Sequence, residues 1–581
     1  MPQVRSLRLH RYFFAGLAAL ALFGAAAQSA APTRAEKQLV VSANPYASEA
    51  GLRILRAGGS AVDAAIAVQL VLTLVEPQSS GIGGGAFMLV YAAPENGDAG
   101  AVTAYEGRET APAAATPDMF LGANGRPDAF ANVGAGGLAV GVPGALRMLE
   151  LAHRDHGRLP WADLFAPAIE LAENGFEVSP RLFGLLNGFK RFARAEDFRR
   201  YFYDASGEPR PVGFRLKNPE YAATLRTLAA GGAEPMHTGE IAAAIAEKVR
   251  SNNVRPGRMT PQDLATYEAH VSEPLCSPYR AWRVCGPQLP SSGGVTTQQV
   301  LGILAQRALP DIRKQPAQAI HVFAEANRLA FADRNLYLGD PKFVAAPVAE
   351  LLDAGYLRER ASLIDPGKAM ATVAAGDPLP SAAWDYAPGA AAERPSTSHF
   401  SIVDARGDAV AMTTSVQGAF GSQLMVGGFI LNNQLTDFDY VPVVGGKPVA
   451  NRVEGGKRPL SSMSPTMLLD ERGRVRLLIG SPGGTRIIGF VAQSIVGVVD
   501  WQLDVQQAVA APHFLAEEGP IEIEEGTALA AQAEALEALG HRVVQNDLNS
   551  GLHAIAIEYT RRGRVLFGGV DPRREGVAVG D

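Results

Sequence analysis

The chain has 581 residues, 47% of them hydrophobic and 19% charged, which is the balance of a packed globular protein. The length suits one large layered α/β body as well as several smaller domains. A formal net charge of −6 excludes a general nucleic-acid binder, which needs a basic face to displace counterions. Only two cysteines are present, and their spacing matches no structural zinc pattern.

Arg5, Arg8 and Arg11 precede an apolar run from Tyr12 to Ala27 that ends in the small residues FGAAAQSAAPT. The run is shorter than the roughly 20 apolar residues of a membrane span. A secretory signal peptide over residues 1–30 is therefore expected, with cleavage near Ala27 to Ala31 and a periplasmic or secreted product. No later segment reads as a membrane span. KQLVVSANPYASEAGLRILRAGGSAVDAAIAVQLVLTLVEP reads strand, turn, helix, glycine turn and long apolar helix. GIGGGAFMLVYAA then leads into a strand at Gly85, and residues from about 140 to 275 are mostly helical. Cys276 and Cys285 flank a turn near Arg280. They can face each other on a hairpin as a disulfide in an oxidising compartment, or stay as two buried thiols, and the sequence leaves both open. Another helix is expected over 315–340.

Residues 365–396 are rich in Pro, Ala and Gly and keep no steady period. They read as an exposed, mobile linker of the kind that is cleaved. Beyond them the character changes. HFSIVDARGDAVAMTTSV, MLLDERGRVRLLIG and HAIAIEYTRRGRVLFGGVD read as hairpins, and GGTRIIGFVAQSIVGVVDW as an apolar helix. Helices before, and hairpins with a few helices after, predict sheets covered by helices.

Gly81-x-Gly83-x-x-Ala86, with Glu106 about 20 residues on, fits a dinucleotide fingerprint. The strand FMLVY that follows stands where a phosphate site needs a helix N-terminus, so this cluster reads as tight packing or a turn. The hydrolase signature G-x-S-x-G and the zinc helix H-E-x-x-H are both absent. That leaves RPSTSHFSIVD, at the junction of linker and strand. In mid-chain Thr397 is inert, because its hydroxyl has no base and His399, two residues along a strand, points away. Cleavage before Thr397 would free an α-amine with a pKa of about 7.7–8.0. That amine can take the hydroxyl proton, so nucleophile and base belong to one residue. Alone, a Thr after a linker is an ordinary strand-entry residue.

The surrounding motifs change that reading. TSHFSIVD, GGFILNNQLTDF, KRPLSSMSPTM and GSPGGTRII, with EPQSSGIGGGAFML, YEGRETAP, GVPGA and PSSGGV upstream, resemble the gamma-glutamyltransferase family of N-terminal-nucleophile hydrolases in order and spacing. The resemblance covers nearly the whole mature chain. It implies a four-layer αββα sandwich, self-cleavage between Ser396 and Thr397, a large subunit over 31–396 and a small one over 397–581. It implies Thr397 as nucleophile, Ser415 as its hydrogen-bonding partner, and Gly483 and Gly484 as the oxyanion hole, which their place before a helix suits. For the donor's α-carboxylate it implies Arg108, Ser461 and Ser462, and for the α-ammonium Asp437 with Gln417 and Gln434. Gln417 stands where relatives often have Asn, Ser398 where they often have a second Thr, and Ser415 where they have Thr. Residues from Asp439 to Lys457 fall where some relatives carry a lid, and look shorter than the longest lids.

The expectation is a γ-glutamyltransferase and glutathione hydrolase that passes the glutamyl group of glutathione or a related donor to water, an amino acid or a dipeptide. Neither a metal nor an organic cofactor is expected. The alternatives are a related glutaryl or cephalosporin acylase, whose donor lacks the α-ammonium, and a non-catalytic secreted binding protein of the same fold.

Overall fold

The computed structural model describes residues 31–94, 99–379, 384–391 and 393–581; the expected signal peptide, residues 1–30, lies outside them. Two seven-stranded sheets organise the chain. Their strands are β1 (Thr33–Ala35), β2 (Leu39–Ser42), β3 (Gly85–Ala92), β4 (Ala101–Gly107), β5 (His270–Ser272), β6 (Leu275–Tyr279), β7 (Trp282–Gly286), β8 (Ser398–Val403), β9 (Ala409–Ser415), β10 (Thr466–Leu469), β11 (Val475–Gly480), β12 (His553–Thr560), β13 (Gly563–Val570) and β14 (Val577–Gly580). The first sheet runs β14-β2-β8-β9-β3-β4-β5 and the second β1-β13-β12-β11-β10-β7-β6. Every pairing in them is antiparallel.

The period-two alternation of strands sorts side chains into layers. Leu39 and Val41 of β2 face Met467 and Leu469 of β10 between the sheets. Val40 points the other way, into the helical layer that contains α1 (Pro45–Arg56) and α2 (Ala61–Val75). Leu468 likewise faces α3 (Ser292–Ala305), α4 (Pro316–Tyr337) and α5 (Ile487–Val499) on the far side of the second sheet. The order is helix, sheet, sheet, helix, as expected. All six residues of β8 and all seven of β9 are buried, because central strands here are covered on both faces. Helix α2 is buried at all fifteen positions and starts on a Ser60–Asp63 capping box, which satisfies orphan N–H groups that no solvent reaches.

Each sheet mixes strands from both sides of residue 397. In the first, β2 to β5 precede it and β8, β9 and β14 follow; in the second, β1, β6 and β7 precede it and β10 to β13 follow. Cys276 and Cys285 are direct partners across β6 and β7 and are bonded as a disulfide. Among the described residues no helix is long and apolar enough to cross a membrane.

The stretch before residue 397 departs from the exposed linker that its composition suggests. Ala387 bridges Val449, the Ala390 N–H donates to Asp439 at 2.5 Å, and Ser396 and Thr397 are each 4% exposed. A missing hydrophobic period means only that no helix or strand forms there; chain lying in a polar groove has the same signature. The 439–457 region, where some relatives carry a lid, holds a short hairpin of Val443–Val444 and Lys447–Pro448, with Val443 and Val444 both exposed.

Candidate active site

Thr397 sits immediately before β8, in the middle of the first sheet. Its hydroxyl donates to Ser415 Oγ at 3.1 Å, and the Gln417 N–H donates to the same oxygen at 2.8 Å. Antiparallel pairing of Ser398 with Thr414 places residue 415 beside residue 397, so the register of one hairpin creates this contact. His399 instead meets Thr413 and Ser401, so it supplies no base to Thr397. The Thr397 carbonyl accepts from Arg574 Nη1 at 3.1 Å, and Ser396 Oγ donates to the Gln78 carbonyl at 2.6 Å. Both sides of the 396–397 peptide are thus pinned. Thr397 has φ of +115°, a conformation that a β-branched residue adopts only under strain.

Gly483 and Gly484 have φ of +144° and +64° and form a turn ahead of a 3₁₀ segment, Gly484–Arg486, that runs into α5. A Cβ on Gly484 would lie 2.6 Å from the Glu393 carbonyl oxygen and 2.9 Å from that of Arg394. The chain entering residue 397 therefore lies directly over this turn. The glycines at 83 and 84 serve packing: a Cβ there would lie 2.1 Å from the Ile430 carbonyl and 2.0 Å from that of Ser415.

Arg108 lies at the end of β4 and is fully buried. Its Nε donates to the Pro459 carbonyl at 3.0 Å, and its Nη2 donates to Asp437 Oδ2 at 2.7 Å and to the Leu460 carbonyl at 2.8 Å. Its Nη1 has no hydrogen-bond acceptor. Asp437 also accepts from Gln417 Nε2 at 2.5 Å and Gln434 Nε2 at 3.1 Å. Burial drives its pKa up, and the Arg108 charge only partly opposes this. The amide oxygens of Gln417 and Gln434 have no donor, so two free acceptors flank one carboxylate. Glu109, next in sequence, approaches Arg108 Nη1 at 3.7 Å. Burial pushes it up to about 8.

Ser461 and Ser462 follow the two carbonyls that hold Arg108. The Ser461 N–H donates to the Pro290 carbonyl at 2.9 Å, and its own carbonyl accepts from the Ser292 N–H and Oγ, both at 2.7 Å. PSSGGV thus frames the serine pair. Ser462 faces Glu393 and Arg334. One hydrogen-bonded path, Thr397 to Ser415 to Gln417 to Asp437 to Arg108, joins the nucleophile to the charges. A cavity of about 420 Å³ beside it is lined by Phe130, Arg394, Thr436, Phe438, Tyr440 and Val444 among others. A larger cleft of about 790 Å³, walled by Arg200, Lys217 and Lys248, contains none of these residues.

The Gamma-glutamyltranspeptidase family profile matches residues 47–581. The chain belongs to the gamma-glutamyltranspeptidase family. It is 35% identical to a "Glutathione hydrolase proenzyme" of Bacillus subtilis (strain 168), over 93% of this chain and 91% of that one. It is also 35% identical to an "Acylase ACY 1 proenzyme" of Pseudomonas sp. (strain SE83), over 90% of each. A crystal structure of cephalosporin acylase from Bacillus halodurans superposes with a TM-score of 0.82 and 27% identity, covering 95% of this chain and 97% of that one.

Within this gamma-glutamyltranspeptidase chain, all the sequence-predicted residues other than the cysteines gather around the Thr397–Arg108 path. The cysteine pair lies at the edge of the second sheet. Arg108 is more encumbered than expected, since protein groups already occupy most of its donors. Glu109, Arg334, Glu393 and Arg574 were not foreseen. Arg334 sits within the helix expected over 315–340, and Arg574 lies just beyond the last expected hairpin. Glu109 reads as a surface ion-pair partner of Arg108.

Proposed function

We propose that the chain is a self-processing γ-glutamyltransferase and glutathione hydrolase that acts in the periplasm or outside the cell. The observation carrying the choice of substrate is the Asp437 carboxylate with the free amide oxygens of Gln417 and Gln434 around it. An α-ammonium brings three N–H donors, and a site for a glutaryl group has no use for a buried acid there. Equal identity to a hydrolase and an acylase makes this pocket the discriminating feature.

In processing, Thr397 Oγ attacks the Ser396 carbonyl carbon, the C–N bond breaks, and the hydroxyl proton ends on the departing nitrogen. Water then hydrolyses the ester, leaving a Ser396 carboxyl group and a free Thr397 amine and hydroxyl. Strain at Thr397 and the pinned peptide favour this shift. Interleaved strands hold the subunits 31–396 and 397–581 together. In turnover the amine takes the proton of Oγ, which attacks the γ-amide carbonyl. The N–H groups of Gly483 and Gly484 receive the oxyanion. The amine leaves with the proton, and water or an amino acid resolves the acyl-enzyme. Arg108 with Ser461 and Ser462 orients the α-carboxylate.

A denaturing gel tests the processing: wild type is expected as two bands and Thr397→Ala as one uncut, inactive chain. A wild type that stays whole, or a Thr397→Ala variant that still splits, overturns the reading. Paired rates on γ-glutamyl and glutaryl anilides test the substrate, and a strong glutaryl preference would move the chain to the acylases.

A further inference from the structure

In the uncut chain the side chain of Glu393, four residues before Thr397, lies against Ser462. Its Oε2 accepts from the Ser462 N–H at 3.0 Å, and its Oε1 accepts from Ser462 Oγ at 2.7 Å and from Arg334 Nη2 at 2.9 Å. The Glu393 side chain is 7% exposed and that of Arg334 is 3% exposed. Arg334 is itself fixed, its Nε donating to Ser292 Oγ and its Nη1 to Asn335 Oδ1, each at 2.9 Å. The Glu393 main chain meanwhile lies on the Gly484 turn. A carboxylate, a short tether and the oxyanion turn thus fall in the order in which a γ-glutamyl donor would present its α-carboxylate and reacting carbonyl.

We propose that Glu393 is a built-in stand-in for the donor's α-carboxylate: held by Ser462 and Arg334, it positions the Ser396–Thr397 bond for self-cleavage and keeps donors out until the cut is made. The inference rests on the reading of Ser396–Thr397 as a self-cleaved bond. Glu393 is a positioning residue, acting through the placement of the scissile peptide. Once the bond is cut, residues up to 396 are no longer tethered to the strand, so the carboxylate can withdraw and a free donor can take the same contacts.

The test is the rate at which freshly folded full-length chain splits, read by denaturing gel and amino-terminal sequencing. Glu393→Ala is expected to slow splitting at least about tenfold, the rate equivalent of roughly 1.4 kcal/mol. Added acetate is not expected to restore the rate, because a free carboxylate carries no tether to the scissile peptide, whereas Glu393→Asp, which keeps a tethered carboxylate, is expected to recover part of it. A side chain that merely stabilised the loop would slow splitting only in step with a fall in melting temperature. Glu393→Gln keeps the volume, so slow splitting with an unchanged melting temperature supports the proposal even if the Ala variant folds poorly. Wild-type splitting rates in both variants, or restoration of the Glu393→Ala rate by free acetate, overturn it. These failures are separate from the failure of the functional reading, in which wild type itself would not split.

Discussion

The nucleophile and the charge pocket lie at two ends of one hydrogen-bonded path, yet they are built differently. The Thr397 hydroxyl meets only neutral groups, and a single register, Ser398 opposite Thr414, sets that contact. The Arg108 end gathers side chains from positions 108, 417, 434 and 437 and carbonyls at 459 and 460, all buried. Neutral contacts between adjacent strands are individually modest. Buried ions are not, because removing one partner strands the other without water. The two ends should therefore differ in their tolerance of substitution.

Asp437→Asn should give the largest loss. It removes the anion proposed to face the donor's ammonium and leaves Arg108 buried with a weaker partner, at a cost of about 3–5 kcal/mol. We expect kcat/KM on a γ-glutamyl anilide to fall by about 10²–10³, with a smaller fall on the glutaryl anilide. Equal losses on both would erase the proposed division of labour. Arg108→Lys comes next. An ammonium cannot reach the Pro459 and Leu460 carbonyls and Asp437 together with the geometry of a guanidinium, so a loss on the order of tenfold to a hundredfold is expected. A lysine variant with wild-type KM would remove Arg108 from carboxylate binding. At the neutral end, Ser415→Ala deletes one hydrogen bond to the Thr397 hydroxyl, worth about 0.5–1.5 kcal/mol. Turnover should fall roughly threefold to tenfold, and Ser415→Thr, which keeps the hydroxyl, should recover most of it. A Ser415→Ala effect as large as that of Asp437→Asn would contradict the contrast between the two ends.

The same contrast explains what was legible in the sequence. The hairpins and the long apolar helix after the glycine turn follow from local periodicity and turn chemistry, whereas the roles expected at the 396–397 junction came only from the family motifs. Arg334 was invisible because α4 is buried on several sides, with Glu325, Asp333 and Arg334 all inside. A helix with charges facing inward gives no period that marks one charge as special. Glu393 was hidden by the composition of its neighbours, which read as linker. Its partners Ser462 and Arg334 lie 69 and 59 residues away in sequence, and no spacing rule joins them. The cysteine pair had two open readings because residue spacing gives proximity across a turn without giving the bond.

Glu109 supplies the most specific prediction. Both its carboxyl oxygens are buried without hydrogen-bond donors, and a Cβ on Gly85 would lie 2.3 Å from one of them, so the group is enclosed. Burial raises its pKa from 4.5 to about 8 against the pull of Arg108. Between those values the folded chain holds a proton that the unfolded chain has released. Stability from this group is therefore full below the unfolded pKa and is lost as pH rises towards the folded one. The slope is at most about 1.4 kcal/mol for each pH unit crossed. Glu109→Gln has the same size and stays neutral in both states. Its melting temperature should match wild type at the acid end of this window and exceed it at the alkaline end. Parallel melting curves across the window would mean that Glu109 is ionised in the fold and that Arg108 carries two carboxylates.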